Sequence, residues 1–277
     1  MTHLNLLPLQ RNKSHWPLLL AGAALLALAS APVTAETPEQ KGLAIATEID
    51  KRDIGFGDSQ AQLTMTLTNS HGQSSIRKLR LSTLENTDTA AGDKSLTVFD
   101  HPRDVKGTAF LSFTKILEPD DQWLFLPALK RVKRISSANK SGPFVGSEFA
   151  YEDLVSFEVG KYTYKWIRDE ACGTLTCFVV ARYPLYENSG YTRQITWVDQ
   201  AEYRVQKVEY YDRKESLLKT LNQTAYQQYL NQYWRPLKMH MVNHQTGKET
   251  TLEFSPYTFQ VGLNDSAFTP NRLKKVR

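Results

Sequence analysis

The 277-residue sequence contains only two cysteines, and after residue 35 it has no apolar run long enough to span a membrane. It also lacks the G-x-S-x-G, H-E-x-x-H, Walker and G-x-G-x-x-G motifs. Its histidines do not show the spacing of metal ligands; His240 and His244 would lie too far apart on a strand to share an ion. These absences give no reason to expect an enzyme, a bound metal or a cofactor.

The charge balance excludes a strong electrostatic argument for nucleic-acid binding. The chain carries 34 Lys and Arg against 29 Asp and Glu, a net charge of +5. Arg11 and Lys13 lie in the first 35 residues, so the remainder carries only +3. So small an excess is weak support for a nucleic-acid partner, and we expect none.

The N-terminus has the layout of a secretory signal peptide. Basic residues precede a short apolar core over 17–29, which ends in small residues before Glu36. A membrane anchor is the alternative, but its apolar core would need about 20 residues rather than 13. We therefore predict that residues 1–35 are a signal peptide cleaved after Ala35 and that residues 36–277 are the functional domain. The protein is then expected to be exported to the periplasm.

The two cysteines lie in the short stretch "ACGTLTCF". In an oxidising compartment a disulfide between Cys172 and Cys177 is the expected state, and the spacing suits a hairpin. A metal site is the alternative, but it would need two further ligands that the sequence does not offer.

The mature chain begins with a predicted helix and continues as strands. Residues 37–52 combine Thr37, Pro38 and Gln40 in a capping box with an apolar stripe at Ile45 and Ile49. A dozen or so short alternating segments follow, and most connections are too short for crossover helices. We predict one mainly β domain built on a single curved antiparallel sheet.

One face of this sheet is apolar and must be covered. Only helix 37–52 and a short helical segment at about 147–155 are available to cover it. They cannot fill the concave side of so large a sheet, so the sequence predicts a space that is open to a ligand.

The segment "DDQWLFLPALKRVKRI" joins an aromatic run to a basic one. The apolar run suits a strand covered on both sides. The basic residues could meet a lipid headgroup or an acidic partner at the rim, or could form a solvated strand face. These residues are Lys130, Arg131, Lys133 and Arg134.

The order of several segments resembles a known family. They are "LTMTLTNSHGQ", "VKGTAFLSFTK", "DDQWLFLPALKRVKRIS", "GPFVGSEFAYEDL" and "FTPNRL". Together they are similar to the outer-membrane lipoprotein-sorting proteins of LolA/LolB-like fold, in the branch found beside exporters of the RND (resistance–nodulation–division) type. The chain is longer than the narrower lipoprotein carriers and adds the "CGTLTC" hairpin.

The resemblance implies a half-open barrel whose helices cover a hydrophobic cavity for acyl chains. It further implies a periplasmic carrier of lipid or lipoprotein that works with an RND-type exporter. A periplasmic accessory hydrolase, or an exporter adaptor without lipid cargo, is the alternative.

The residues expected to line the acyl-chain site are large apolar side chains on strands and on the helix. For each of them ordinary core packing is the competing interpretation. The candidates are Trp123, Phe125, Phe110, Trp166, Trp197, Ile45 and Ile49.

Overall fold

The computed structural model of the protein describes residues 35–86, 91–116 and 118–276. The predicted signal peptide, except for Ala35, lies outside the described residues. Within these ranges no helix has both the length and the apolar character needed to cross a bilayer.

Fourteen strands and one α-helix, α1 (Pro38–Asp53), form the framework of the described chain. The strands are β1 (Asp58–Thr68), β2 (Ser74–Leu84), β3 (Ala91–His101), β4 (Ala109–Lys115), β5 (Asp121–Leu126), β6 (Arg131–Ile135), β7 (Tyr162–Cys172), β8 (Leu175–Pro184), β9 (Tyr191–Asp199), β10 (Val205–Asp212), β11 (Leu217–Tyr229), β12 (Tyr233–Asn243), β13 (Glu249–Phe254) and β14 (Thr258–Phe259).

All strands belong to one antiparallel sheet. The order is β6-β5-β4-β3-β2-β1-β13-β12-β11-β10-β9-β8-β7, and β14 pairs with β1. Strands β6 and β7 are the two edges and do not pair with each other, so the curved sheet is not closed into a barrel. The predicted fold class is confirmed.

Helix α1 begins as the sequence predicts. The Thr37 side chain accepts a hydrogen bond from the backbone N–H of Gln40, whose side chain in turn accepts from the Thr37 N–H. Gly42 lets the helix approach β7 closely, because a Cβ there would stand 2.7 Å from the backbone nitrogen of Trp166. A residue that weakens an isolated helix therefore sets the distance between helix and sheet.

The long connection between β6 and β7 covers another part of the concave face. It is built from short 3-10 helices, including Phe144–Gly146 and Tyr151–Leu154, the second of which lies within the predicted helical segment. Phe144 and Tyr151 pack edge-on, with ring centroids 5.6 Å apart, and Phe149 joins the same cluster. This connection fills the end of the sheet formed by β4 and β5.

The C-terminal segment covers the outer, convex face near the same end. Phe268 and Leu273 are almost fully buried against Leu96, Val98 and other outward-facing residues of β3 and β4. Two short 3-10 helices, Asp265–Ala267 and Arg272–Lys274, hold them there.

The predicted disulfide is present. Cys172 ends β7 and Cys177 lies on β8, with Cα atoms 5.9 Å apart. Gly173 allows the tight turn between these strands because its φ is +67°, a value that other residues rarely adopt.

Candidate functional site

A cavity of about 1210 Å³ lies between α1, the segment at 153–158 and the concave face of the sheet. Strands β1 to β3 and β7 to β13 contribute to its wall, so strands from both halves of the sheet face the same space. Drug-sized pockets typically hold roughly 300–1,000 Å³. The predicted space therefore exists, and it is large enough for an elongated apolar molecule.

The floor of the cavity is aliphatic. Alternation along β1 and β2 directs one side chain in two toward the concave face. The same face of β11 to β13 adds further unbranched and γ-branched side chains to the floor, with Gln223 beside them. The residues are Leu63, Met65, Leu79, Leu221, Met239 and Leu252.

Carboxylates lie around part of the cavity wall. Burial raises the pKa of Asp93 to about 6, although the backbone N–H of Asn86 donates to its carboxylate. Burial also raises the pKa of Glu158 to about 7, and repulsion from Asp93 adds to the effect. Burial raises the pKa of Asp53 despite its ion pair with Arg235. Asp93 and Glu158 therefore take up protons at a higher pH than ordinary carboxyl groups, which lowers the negative charge on this side of the cavity wall.

Four arginines also line the cavity, and three of them have carboxylate partners. Arg52 pairs with Glu48 at 2.7 Å, Arg204 pairs with Asp199 at 2.7 Å, and Arg235 pairs with Asp53. Arg182, on β8, instead donates from Nε to the Oε1 of Gln194 at 2.6 Å.

Two of the seven predicted ligand-binding residues line this cavity. Ile45 and Ile49 project from α1 toward the sheet, where Ile45 is 4% exposed and packs with Tyr164 and Val180. Contact of these two side chains with a ligand stays a prediction.

The placement of Trp123 and Phe125 in the cavity wall was wrong. Both project from the convex face of β5, where Phe113 and the C-terminal segment pack against them. Leu124, between them, points to the concave side. In the run "WLFL" every residue is apolar, so the sequence does not indicate which alternate set faces inward.

The other three aromatic candidates do not line the cavity either. Phe110 faces the concave side but is covered by Phe144, at 5.2 Å between ring centroids. Trp166 lies beneath α1 with the ammonium of Lys41 3.7 Å from its ring. Trp197 packs on the opposite face with the disulfide. In each case a piece of the chain, rather than open space, covers the ring.

The basic run belongs to the β5–β6 hairpin at the edge of the sheet. Lys130 occupies the left-handed turn, Arg131 and Lys133 are exposed on β6, and Arg134 forms an ion pair with Asp121. None of the four lines the cavity, and their contact with a lipid headgroup or an acidic partner stays a prediction. Leu129, beside them, is 62% exposed.

The paired acids at 152–153 have structural partners. Glu152 accepts hydrogen bonds from Tyr186, Ser189 and Gly190, and Asp153 forms a 2.6 Å ion pair with Lys219. Among the described residues there is no cluster of three or more His, Cys, Asp or Glu side chains that could hold a metal ion.

Part of the cavity wall could be predicted from the sequence. The alternation of Leu63, Met65 and Leu67 with threonines identifies one apolar face of β1, and that face is the cavity floor. The position of Arg182 in the cavity wall could not be predicted in this way, because it depends on which residues the neighbouring strands place beside it.

A single open sheet with a helix and a long connection across its concave side, enclosing an apolar cavity, defines a protein of LolA-like fold. A domain from Vibrio parahaemolyticus, provisionally named an outer membrane lipoprotein-sorting protein, has a crystal structure that matches with a TM-score of 0.83. It is 55% identical in sequence, and the match covers 85% of this chain and 99% of that one. The chain therefore belongs to the outer membrane lipoprotein-sorting protein family.

Two further structures extend the comparison. A DUF1329 family protein from Desulfovibrio piger is 28% identical, with a TM-score of 0.81 over 86% of this chain and 99% of its own. A LolA superfamily protein from Nitrosomonas europaea is 20% identical, with a TM-score of 0.66 over 82% of this chain and 97% of its own, and it shows the shared fold alone.

The sequence comparisons add less about activity. A protein-family model described as that of an uncharacterized protein matches residues 91–275. No curated protein sequence matches the chain.

Proposed function

We propose that this protein is a periplasmic carrier that binds the acyl chains of a lipid or lipoprotein in its cavity. The observation that carries the proposal is the 1210 Å³ cavity with an aliphatic floor, which remains open although the fold covers apolar surface elsewhere. Exposed apolar area of this extent is costly in water and commonly marks a binding site.

The location of the carrier follows from the predicted leader and the disulfide. Cleavage after Ala35 would release residues 36–277 as the lipid-binding domain, and the bridge between Cys172 and Cys177 suits an oxidising compartment. N-terminal sequencing of the protein from a periplasmic fraction should begin at Glu36. Recovery of intact residues 1–35 in membranes would contradict this part of the proposal.

The binding function is tested by narrowing the cavity. Leu81→Trp places a large side chain in the wall, whereas Gln62→Trp places the same side chain at an exposed position on the opposite face. We expect the first variant to weaken binding of a fluorescent fatty acid several-fold and the second to leave it unchanged. Equal affinity in both variants would show that the probe binds elsewhere.

The natural cargo is tested by extracting lipids from protein purified from its own envelope and identifying them by mass spectrometry. A carrier should retain a defined lipid or acylated peptide. If neither extracted lipid nor an added fatty acid binds, the carrier proposal fails, and an adaptor or an accessory enzyme becomes the better explanation.

A carrier also needs a donor and an acceptor, and we propose an RND-type membrane exporter as one partner. The β5–β6 hairpin supports such a contact, because exposed Leu129 stands beside Lys130 and Arg131. Crosslinking from Leu129→Cys in cells should capture an exporter subunit. The same experiment from Gln62→Cys, on a different part of the sheet, provides the control.

A further inference from the structure

Arg182 lines the cavity and has no carboxylate partner within the described residues. Arg182 lies on β8, with Tyr164 of β7 and Gln194 of β9 directly opposite it in the sheet register. Directly paired residues project from the same face of a sheet, so Arg182 shares the concave face with Tyr164, which packs beneath α1. Its side chain is partly buried and lines the cavity.

The neighbours of Arg182 do not include an acid. Among the described residues its only hydrogen bond is the one from Nε to Gln194, and no carboxylate oxygen lies within salt-bridge distance of its guanidinium. The ionisable side chains that affect it most are the tyrosines Tyr162, Tyr210 and Tyr164. The phenol groups are neutral at physiological pH, so they do not balance the positive charge.

Two other buried lysines of the same region have carboxylate partners, and a third, Lys140, lies against the ring of Tyr186. Lys219, two strands beyond Gln194 on the same row of the sheet, forms a 2.6 Å ion pair with Asp153, and both side chains are 4% exposed. Lys161 lies 2.5 Å from Asp120. Because a charge away from bulk water is costly without a partner, the position of Arg182 in the cavity wall requires an explanation.

The contacts of Arg182 involve its Nε and the face of its guanidinium group rather than its two terminal amino groups. Gln194 engages Nε, while the rings of Tyr162 and Phe157 lie 4.9 Å and 5.4 Å from the guanidinium carbon. Aromatic contacts of this kind hold the planar group in a fixed orientation. The two terminal amino groups make no hydrogen bond within the described residues. Together they form a fork that fits two oxygens of a carboxylate or a phosphate.

We propose that Arg182 binds the anionic group of an amphiphile, a carboxylate or a phosphate, while the hydrocarbon chain of that molecule lies on the aliphatic floor. This inference rests on the proposed carrier function and adds a preference for acidic over uncharged lipids. Two acids of the wall do not compete for Arg182, because Asp53 pairs with Arg235 and Asp153 is engaged by Lys219.

The test compares a fluorescent fatty acid with its methyl ester, which has the same chain without the charge. Wild-type protein should bind the acid more tightly, and Arg182→Gln should weaken binding of the acid by about tenfold or more, the loss expected for a charge-assisted hydrogen-bond pair. The ester should be affected less than twofold. Lys214→Gln is the matched control, because it removes one exposed positive charge from the β10–β11 turn, outside the cavity wall, and should preserve the preference.

A second variant separates binding from folding. Arg182→Met keeps the length of the side chain but removes both a charge without a carboxylate partner and the hydrogen bond to Gln194, two effects of opposite sign, so the ligand-free variant should melt within a few degrees of wild type. A large drop in melting temperature for both Arg182 variants would assign the residue to structural packing and overturn the inference.

A competition experiment identifies whether the anionic group of the ligand is a carboxylate or a phosphate. Displacement of the fluorescent acid by an alkyl phosphate at lower concentration than by a fatty acid indicates a phosphate ligand, and the reverse indicates a carboxylate. If wild type binds acid and ester equally, and Arg182→Gln does the same, the inference is wrong while the carrier function stands. If wild type binds neither, the carrier function itself fails.

Discussion

Both faces of the sheet carry apolar side chains, but the rest of the chain covers them fully only on the convex face. On the convex face of β3 to β6, the C-terminal segment inserts Phe268 and Leu273, and the patch becomes an ordinary core. On the concave face, α1 and the β6–β7 connection cover the two ends and leave a 1210 Å³ space between them. Both faces carry aromatic side chains: Trp123 and Phe125 lie in the closed convex patch, whereas Phe254 and Tyr257 lie in the wall of the open cavity.

This difference shows that aromatic content does not identify a binding cavity. Trp123 and Phe125 lie where the chain closes on itself, because flat rings pack well against fixed neighbours. Flexible side chains such as Met65 and Met239 suit a surface that must accept ligands of varied shape. The following predictions test the contrast, in order of expected effect.

Truncating one aromatic side chain on each face of the sheet should separate an effect on stability from an effect on ligand binding. Phe268→Ala opens a hole in the closed convex core and should cost about 3–5 kcal/mol of unfolding free energy. Phe254→Ala, on the cavity wall, should cost about 1 kcal/mol but weaken fatty-acid binding. Urea denaturation and probe titration measure both quantities. Equal losses of stability would contradict the distinction between the faces.

Gly42→Ala tests how the helix defines the cavity. Helix propensity alone would stabilise this variant by about 1 kcal/mol. The added methyl group, however, meets the backbone of Trp166 and Lys165 at 2.7–2.9 Å, so we expect a net loss of about 1–3 kcal/mol and altered probe affinity. Thr47→Ala, on the exposed side of α1, is the control and should be neutral or slightly stabilising. A more stable Gly42→Ala protein would show that the helix can shift freely.

The disulfide should affect stability without affecting the cavity. Replacing Cys172 and Cys177 with alanine removes a bridge whose chain-entropy contribution is about 2 kcal/mol for so short a loop. Thermal melting should fall while fatty-acid affinity stays unchanged, since Cys177 packs on the face opposite the cavity. Two reactive thiols in unreduced, denatured wild-type protein would refute the bridge itself.

The smallest expected effect is a pH dependence from the carboxylates of the cavity wall. The folded pKa of Asp93, about 6, lies above the unfolded value of about 4, so the folded state binds the proton more tightly. Its contribution to stability is therefore present below about pH 4 and is lost as the pH rises through about 6. Glu158 extends the same trend to about 7.

Partial exposure reduces the size of the Asp93 effect to about 1 kcal/mol. Asp93→Asn should flatten the dependence between pH 4 and pH 7, as measured by melting temperature in buffers of equal ionic strength. If the change of melting temperature with pH is the same in Asp93→Asn and in wild type, other titratable groups cause it.

Local patterns in the sequence determined the elements of this protein. The capping box at Thr37 and Gln40 starts α1, the alternation at 63–67 predicts β1 with its apolar face, and the spacing of Cys172 and Cys177 predicts a hairpin disulfide. Each of these features depends on residues within a few positions of one another, so the sequence alone contains the necessary information.

Only the tertiary structure decided which apolar residues face open space. The run at 123–126 is apolar at every position, so its inward set was fixed by pairing with β4 and β6 and by the C-terminal segment that covers Trp123 and Phe125. Among the described residues Arg182 has no carboxylate partner, and this likewise follows from the strand register, which places Tyr164 and Gln194 beside it. Contacts between distant segments set both outcomes, and no local pattern records them.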